Sequence, residues 1–163
     1  MKKQVLDFEK ISRICGRLAY QILENKFNED EILLVGIKEK GYEIAKIIEK
    51  KLKDITSNRV HLKSITIDKK NPNQISEFDI NFNLMPKSVY LIDDVLNTGK
   101  TLMFAVNSLL KYDFELIKTL VLIDRNHKRF PVKVDFKGIS LSTNLDDTVK
   151  LISENKNLEA VLV

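Results

Sequence analysis

Val89-Tyr90-Leu91-Ile92-Asp93-Asp94-Val95-Leu96-Asn97-Thr98-Gly99-Lys100-Thr101 is an apolar run that ends in two acids and turns into a helix through Thr-Gly-Lys-Thr. The run Ser88 to Ile92 has the continuous apolar character of a strand covered on both faces, as parallel sheets require. The helix that follows places apolar residues at helical spacing from Thr101 to Leu110. Backbone N–H groups at its start lack intrahelical partners and suit a phosphate; Gly99 lets the backbone approach, and Thr98 and Thr101 add hydroxyl donors. Asp93 and Asp94 suit vicinal hydroxyls or a hydrated magnesium ion. Together these point to a sugar phosphate. Capping by the Asp pair alone would explain one acid but not the whole string. A nucleotide-triphosphate P-loop is excluded, because the position that needs its first glycine holds Asp94.

Working outward, Leu6, Ile11, Ile14, Leu18 and Ile22 predict a helix to about Lys26, with Asp7 near its cap. Ile32 to Ile37 reads as a second buried strand, and Tyr42 to Leu52 returns to helical spacing. Val60 to Ile67 alternates imperfectly, Asp68 to Ser76 reads as a loop, and Lys118 to Asp124 is a further strand. This alternation predicts an α/β domain over residues 1–163, with a mainly parallel sheet flanked by helices. Ligands collect at the carboxyl ends of such strands. Three segments lie there: Gly36 to Gly41, Asp93 to Thr101, and Asp124 to Arg129.

The chain has 163 residues, 44% hydrophobic and 31% charged, enough for one continuous core. No window is long and apolar enough to cross a bilayer, and Asp7, Glu9 and Lys10 interrupt the region where a secretory signal would be apolar, so a cytoplasmic location is expected. One cysteine and two histidines are too few for a structural zinc site, and Cys15 reads as a small buried residue. The net charge of +4 permits an anionic partner, a phosphorylated metabolite or a nucleic acid, without choosing between them.

The Asp-Asp-Val-Leu-Asn-Thr-Gly-Lys-Thr string resembles the phosphoribosyl-pyrophosphate signature of the type I phosphoribosyltransferases. Val35-Gly36-Ile37-Lys38-Glu39-Lys40-Gly41 resembles the pyrophosphate loop of that family. Val121 to Pro131 resembles the base-side segment of its uracil-type members, the bifunctional pyrimidine-operon attenuators with uracil phosphoribosyltransferase activity. The resemblance implies a small hood and a C-terminal hairpin beside the main sheet, and a homodimer. It implies that Asp93 and Asp94 hold the ribose hydroxyls and Mg2+, and that Asn97, Thr98, Gly99, Lys100 and Thr101 wrap the 5-phosphate. Lys40, with Glu39 and Gly41, would meet pyrophosphate, at a non-proline cis peptide expected between Glu39 and Lys40. Asp124 and Arg125 would serve on the base side.

Asn97 stands where purine-using members commonly place a carboxylate, and an amide cannot take up a proton at neutral pH. Asn126 replaces the usual glycine of the uracil-type segment, a change Asn tolerates because it enters positive φ more readily than most residues. The loop between Thr66 and Leu84 lacks the aromatic and arginine residues expected of its counterpart, which questions catalytic closure. His127 reads as a solvated loop residue, while Arg125, Lys128 and Arg129 suit substrate, RNA or water. The expectation is transfer of a phosphoribosyl group from 5-phosphoribosyl 1-pyrophosphate to a nucleobase, uracil above others. The alternative is an RNA-binding regulator of weak or no turnover.

Overall fold

A computed structural model describes residues 1–26, 30–68, 70–71 and 86–163. The elements are β1 (Lys3–Leu6), α1 (Phe8–Asn25), β2 (Glu31–Ile37), α2 (Lys40–Ile55), β3 (Arg59–Ile65), β4 (Ser88–Leu96), α3 (Lys100–Leu109), β5 (Leu116–Asp124), β6 (Phe136–Ser140), β7 (Val149–Glu154) and β8 (Asn157–Leu162). Five strands form one sheet in the order β3-β2-β4-β5-β6, every neighbouring pair parallel. A three-stranded antiparallel sheet, β1-β8-β7, supplies the small hood and the C-terminal hairpin.

Side-chain alternation along the central strands sorts the core into two layers. Ile32 and Leu34 of β2, Tyr90 and Ile92 of β4, and Leu120 and Leu122 of β5 pack with α1, α2 and the hairpin. The intervening Leu33, Val35, Val89, Leu91 and Val121 pack with Leu102, Ala105 and Leu109 of α3. Both faces are covered, which is why these strands read as unbroken apolar runs.

Asp7 caps α1, its carboxylate accepting from the Lys10 backbone N–H at 2.8 Å. The first helix therefore starts at Phe8. Leu6, which its spacing assigned to that helix, belongs instead to β1, paired with Ala160 of β8. The strand carrying the acid pair is also longer than its apolar run, extending through Asp93 and Asp94 to Leu96, which pairs with Asp124. Most of the loop between Thr66 and Leu84, whose composition bears on catalytic closure, lies outside the described residues.

Candidate active site

The carboxyl ends of β2 and β4 and the amino ends of α2 and α3 face one cavity of about 540 Å3. Lys38, Glu39, Lys40 and Gly41 form one wall, Asp93 to Thr101 a second, and Thr148 to Leu151 a third. The arrangement joins the first two strand-end segments read from the sequence. It also adds Thr148, Val149, Lys150 and Leu151, residues that carry no local pattern and reach the cavity only because the hairpin folds over it.

The first wall is a turn from β2 into α2. Glu39 is the N-cap, in right-handed helical conformation and without a side-chain capping bond, so the first amides of α2 stay available. The cis peptide lies at Lys38–Glu39, one residue before the expected Glu39–Lys40 bond. Glu39 has already entered helical geometry and α2 starts at Lys40, so the irregular link falls between the strand end and the cap. Lys40 Nζ donates to Ser153 Oγ of β7 at 3.0 Å and lies 3.6 Å from Glu43 Oε1.

The second wall carries the acids. Asp93 is 8% exposed, and its Oδ1 accepts from the Asp94 backbone N–H at 2.9 Å. Asp94 is half-buried, and its carboxylate has no hydrogen-bond or ion-pair partner among the described residues. The turn after β4 then reaches Gly99, whose φ of 88° is in the left-handed region and which caps α3 without a side-chain bond. The Lys100 N–H is directed to Thr98 Oγ1 at 3.3 Å. Positive φ and tight packing both demand glycine here, since a Cβ would lie 2.8 Å from Val132 Cγ1.

The third strand-end segment buttresses this turn. The Thr98 carbonyl accepts from the backbone N–H groups of Arg129 and Phe130 at 2.8 and 3.1 Å. Asn126 has φ 60°, in the left-handed region that Asn enters more readily than most residues, and its N–H donates to Asp124 Oδ1 at 2.8 Å. Asp124 also pairs with Lys137 Nζ at 3.7 Å. Neither Asp124 nor Arg125 lines the cavity. Arg125 is buried, with Nη1 donating to Asn97 Oδ1 at 2.7 Å. His127 is half-buried, its Nε2 2.9 Å from the Thr143 carbonyl oxygen, and Lys128 Nζ donates to the Val132 carbonyl.

Chemically, two helix starts without side-chain caps present N–H donors of the kind that suits anionic oxygens, and an acid pair lines the same cavity. Among the described residues no cluster of three or more His, Cys, Asp or Glu side chains forms a self-sufficient metal site. Two carboxylates nevertheless fit magnesium, which commonly takes one or two from the protein and completes its shell with water and substrate phosphate. No helix among the described residues is long and apolar enough to cross a membrane.

A family model described as phosphoribosyl transferase domain matches residues 1–153. The bifunctional protein PyrR of Haemophilus ducreyi is 32% identical over 164 residues, covering 95% of this chain and 92% of that protein. The pyrimidine operon regulatory protein of Lactococcus lactis is 28% identical and covers 99% of this chain and 96% of its own. A hypoxanthine phosphoribosyltransferase from Staphylococcus aureus superposes with a TM-score of 0.73 at 17% identity, over 88% of this chain and 80% of that one. A hypoxanthine-guanine phosphoribosyltransferase from Bacillus anthracis gives 0.73 at 16% identity, over 97% and 96%. At such identities the structural likeness concerns the fold alone.

Proposed function

Because this chain belongs to the phosphoribosyl transferase domain family, we propose that it transfers the phosphoribosyl group of 5-phosphoribosyl 1-pyrophosphate to a nucleobase, with uracil the acceptor, giving a nucleoside monophosphate and pyrophosphate. The observation that carries this reading is the convergence of the α2 start, the α3 start and the Asp93–Asp94 pair on one cavity.

In this account the amides and hydroxyls from Thr98 to Thr101 bind the 5-phosphate, and the uncapped turn at Glu39, Lys40 and Gly41 binds the pyrophosphate. Lys40 exchanges its Ser153 partner for a pyrophosphate oxygen. Asp93, fixed by the Asp94 backbone, and Asp94, with its free carboxylate, orient the ribose hydroxyls and lend negative charge where the anomeric carbon becomes positive. Both acids would also hold Mg2+, which when bound neutralises charge on the departing pyrophosphate. Asp124 and Arg125 complete the base side by shaping the turn behind Asn97. Uracil is favoured over a purine because Asn97 supplies no proton acceptor and because the Lactococcus lactis relative carries a pyrimidine name. We extend the proposal to a cytoplasmic homodimer.

A screen of uracil, hypoxanthine, guanine, xanthine, adenine and orotate with the phosphoribosyl donor and magnesium, reading nucleotide product, tests this reading. Uridine monophosphate is expected; no product from any base would overturn it.

The name of the Lactococcus lactis relative supports a second reading, a pyrimidine-operon regulator, which we infer would act by binding RNA. Binding to a structured RNA leader should then weaken steeply with salt and respond to uridine nucleotides. Salt-sensitive binding indifferent to RNA sequence and to nucleotide would reduce it to the generic attraction of a basic chain.

A further inference from the structure

Arg125 and Asn97 stand 28 positions apart and meet behind the cavity wall. A guanidinium carries only N–H donors, so the carboxamide atom that it meets must be oxygen. The 2.7 Å bond from Arg125 Nη1 to Asn97 Oδ1 thereby turns the amide nitrogen away, with no acceptor for it among the described residues. Asn97 is exposed and lines the cavity, whereas Arg125 is 7% exposed and does not. The other Arg125 donors hold the loop leading into β7. Nε and Nη2 reach Thr143 Oγ1 at 3.0 and 2.9 Å, and Nη2 reaches the carbonyls of Asn144 and Asp147 at 3.2 and 2.6 Å.

We propose that Arg125 is a positioning residue that fixes the Asn97 carboxamide so that Nδ2 donates to an oxygen acceptor of the bound sugar phosphate or nucleotide. The inference rests on the phosphoribosyl-transfer reading of the cavity and deepens it. Arg125 acts on the ligand through Asn97, without touching it. The acceptor is a phosphate oxygen or a carbonyl oxygen of the base, which share the chemistry that an amide N–H recognises. A carboxylate at position 97 would keep the Arg125 contact as an ion pair but present no N–H.

Calorimetric titration of the full chain with ribose 5-phosphate and with uridine monophosphate tests this, using Arg125→Lys, Asn97→Ala and the double variant. Arg125→Lys is expected to weaken uridine monophosphate roughly tenfold in the wild-type background and less than about twofold beside Asn97→Ala. Equal weakening of both ligands assigns the oxygen to phosphate, and weakening of the nucleotide alone assigns it to the base; either outcome supports the inference. The same loss in both backgrounds would overturn it, placing the effect of Arg125 in the loop it ties down. Absence of binding of either ligand to the wild-type chain would overturn it too. Asn97→Asp guards against a misfolded arginine variant: a loss of roughly tenfold at unchanged melting temperature is expected, and undiminished binding contradicts the proposal. A wild-type chain that binds with this coupling but forms no nucleotide overturns the transfer reading alone; turnover with additive losses overturns this inference alone.

Discussion

Gly41 lies directly against Asp93: a Cβ at position 41 would stand 3.1 Å from Asp93 Oδ1, 3.0 Å from its Cα and 2.8 Å from the carbonyl oxygen of Ile92. The first turn of α2 is thus seated on the backbone of β4 at the point where the acids begin. The two cavity walls are one packed unit, and their spacing depends on the missing side chain. Gly41→Ala is expected to cost about 1–3 kcal/mol, because the atoms in the way are mostly backbone and cannot swing aside. Thermal unfolding checks the stability, and donor binding should fall with it. Unaltered stability and affinity would show that the two walls can separate freely.

Asp94→Asn is expected to lower transfer by about 10²-fold or more, since it removes negative charge beside the anomeric carbon as that carbon becomes positive. Its carboxylate has no partner among the described residues, so stability should stay within about 0.5 kcal/mol of wild type. Steady-state turnover and a melting curve on the same preparation check both halves. Wild-type turnover in the variant would reduce the acid to a local structural role.

Cys15 is fully buried on the core-facing side of α1, and burial pushes its thiol up to about 12 from 9.0. The folded chain holds this proton while the unfolded chain loses it near pH 9, so unfolding releases a proton between those values. Stability from this group is complete below about pH 9 and falls as pH rises toward about 12. A thiol reagent at pH 8 should label Cys15 at the unfolding rate and rapidly in denaturant. Fast labelling of the native chain would contradict its burial.

The strands β2, β4 and β5 were legible because burial on both faces writes continuous apolar runs, and α1 to α3 because each buries one stripe. The four-residue β1 was not, since Leu6 fits both a strand end and the spacing of the helix that follows. β6 carries no such run: Phe136 to Ser140 is five residues with only alternate positions buried. The site divides in the same way. Asp93 to Thr101 is contiguous, so its place at one strand-to-helix corner could be read locally. The approach of Thr148 to Leu151, the bond from Arg125 to Asn97 and the hold of Ser153 on Lys40 are tertiary relationships that no spacing rule records.

On the proposed reading, the cavity between α2, α3 and the hairpin is a phosphoribosyl-pyrophosphate site organised by Asp93 and Asp94. Titration of the chain with 5-phosphoribosyl 1-pyrophosphate in a calorimeter, with magnesium and then with chelator, tests this assignment. Saturable binding with magnesium that weakens sharply in chelator is the predicted result; absence of binding in both buffers would contradict the account.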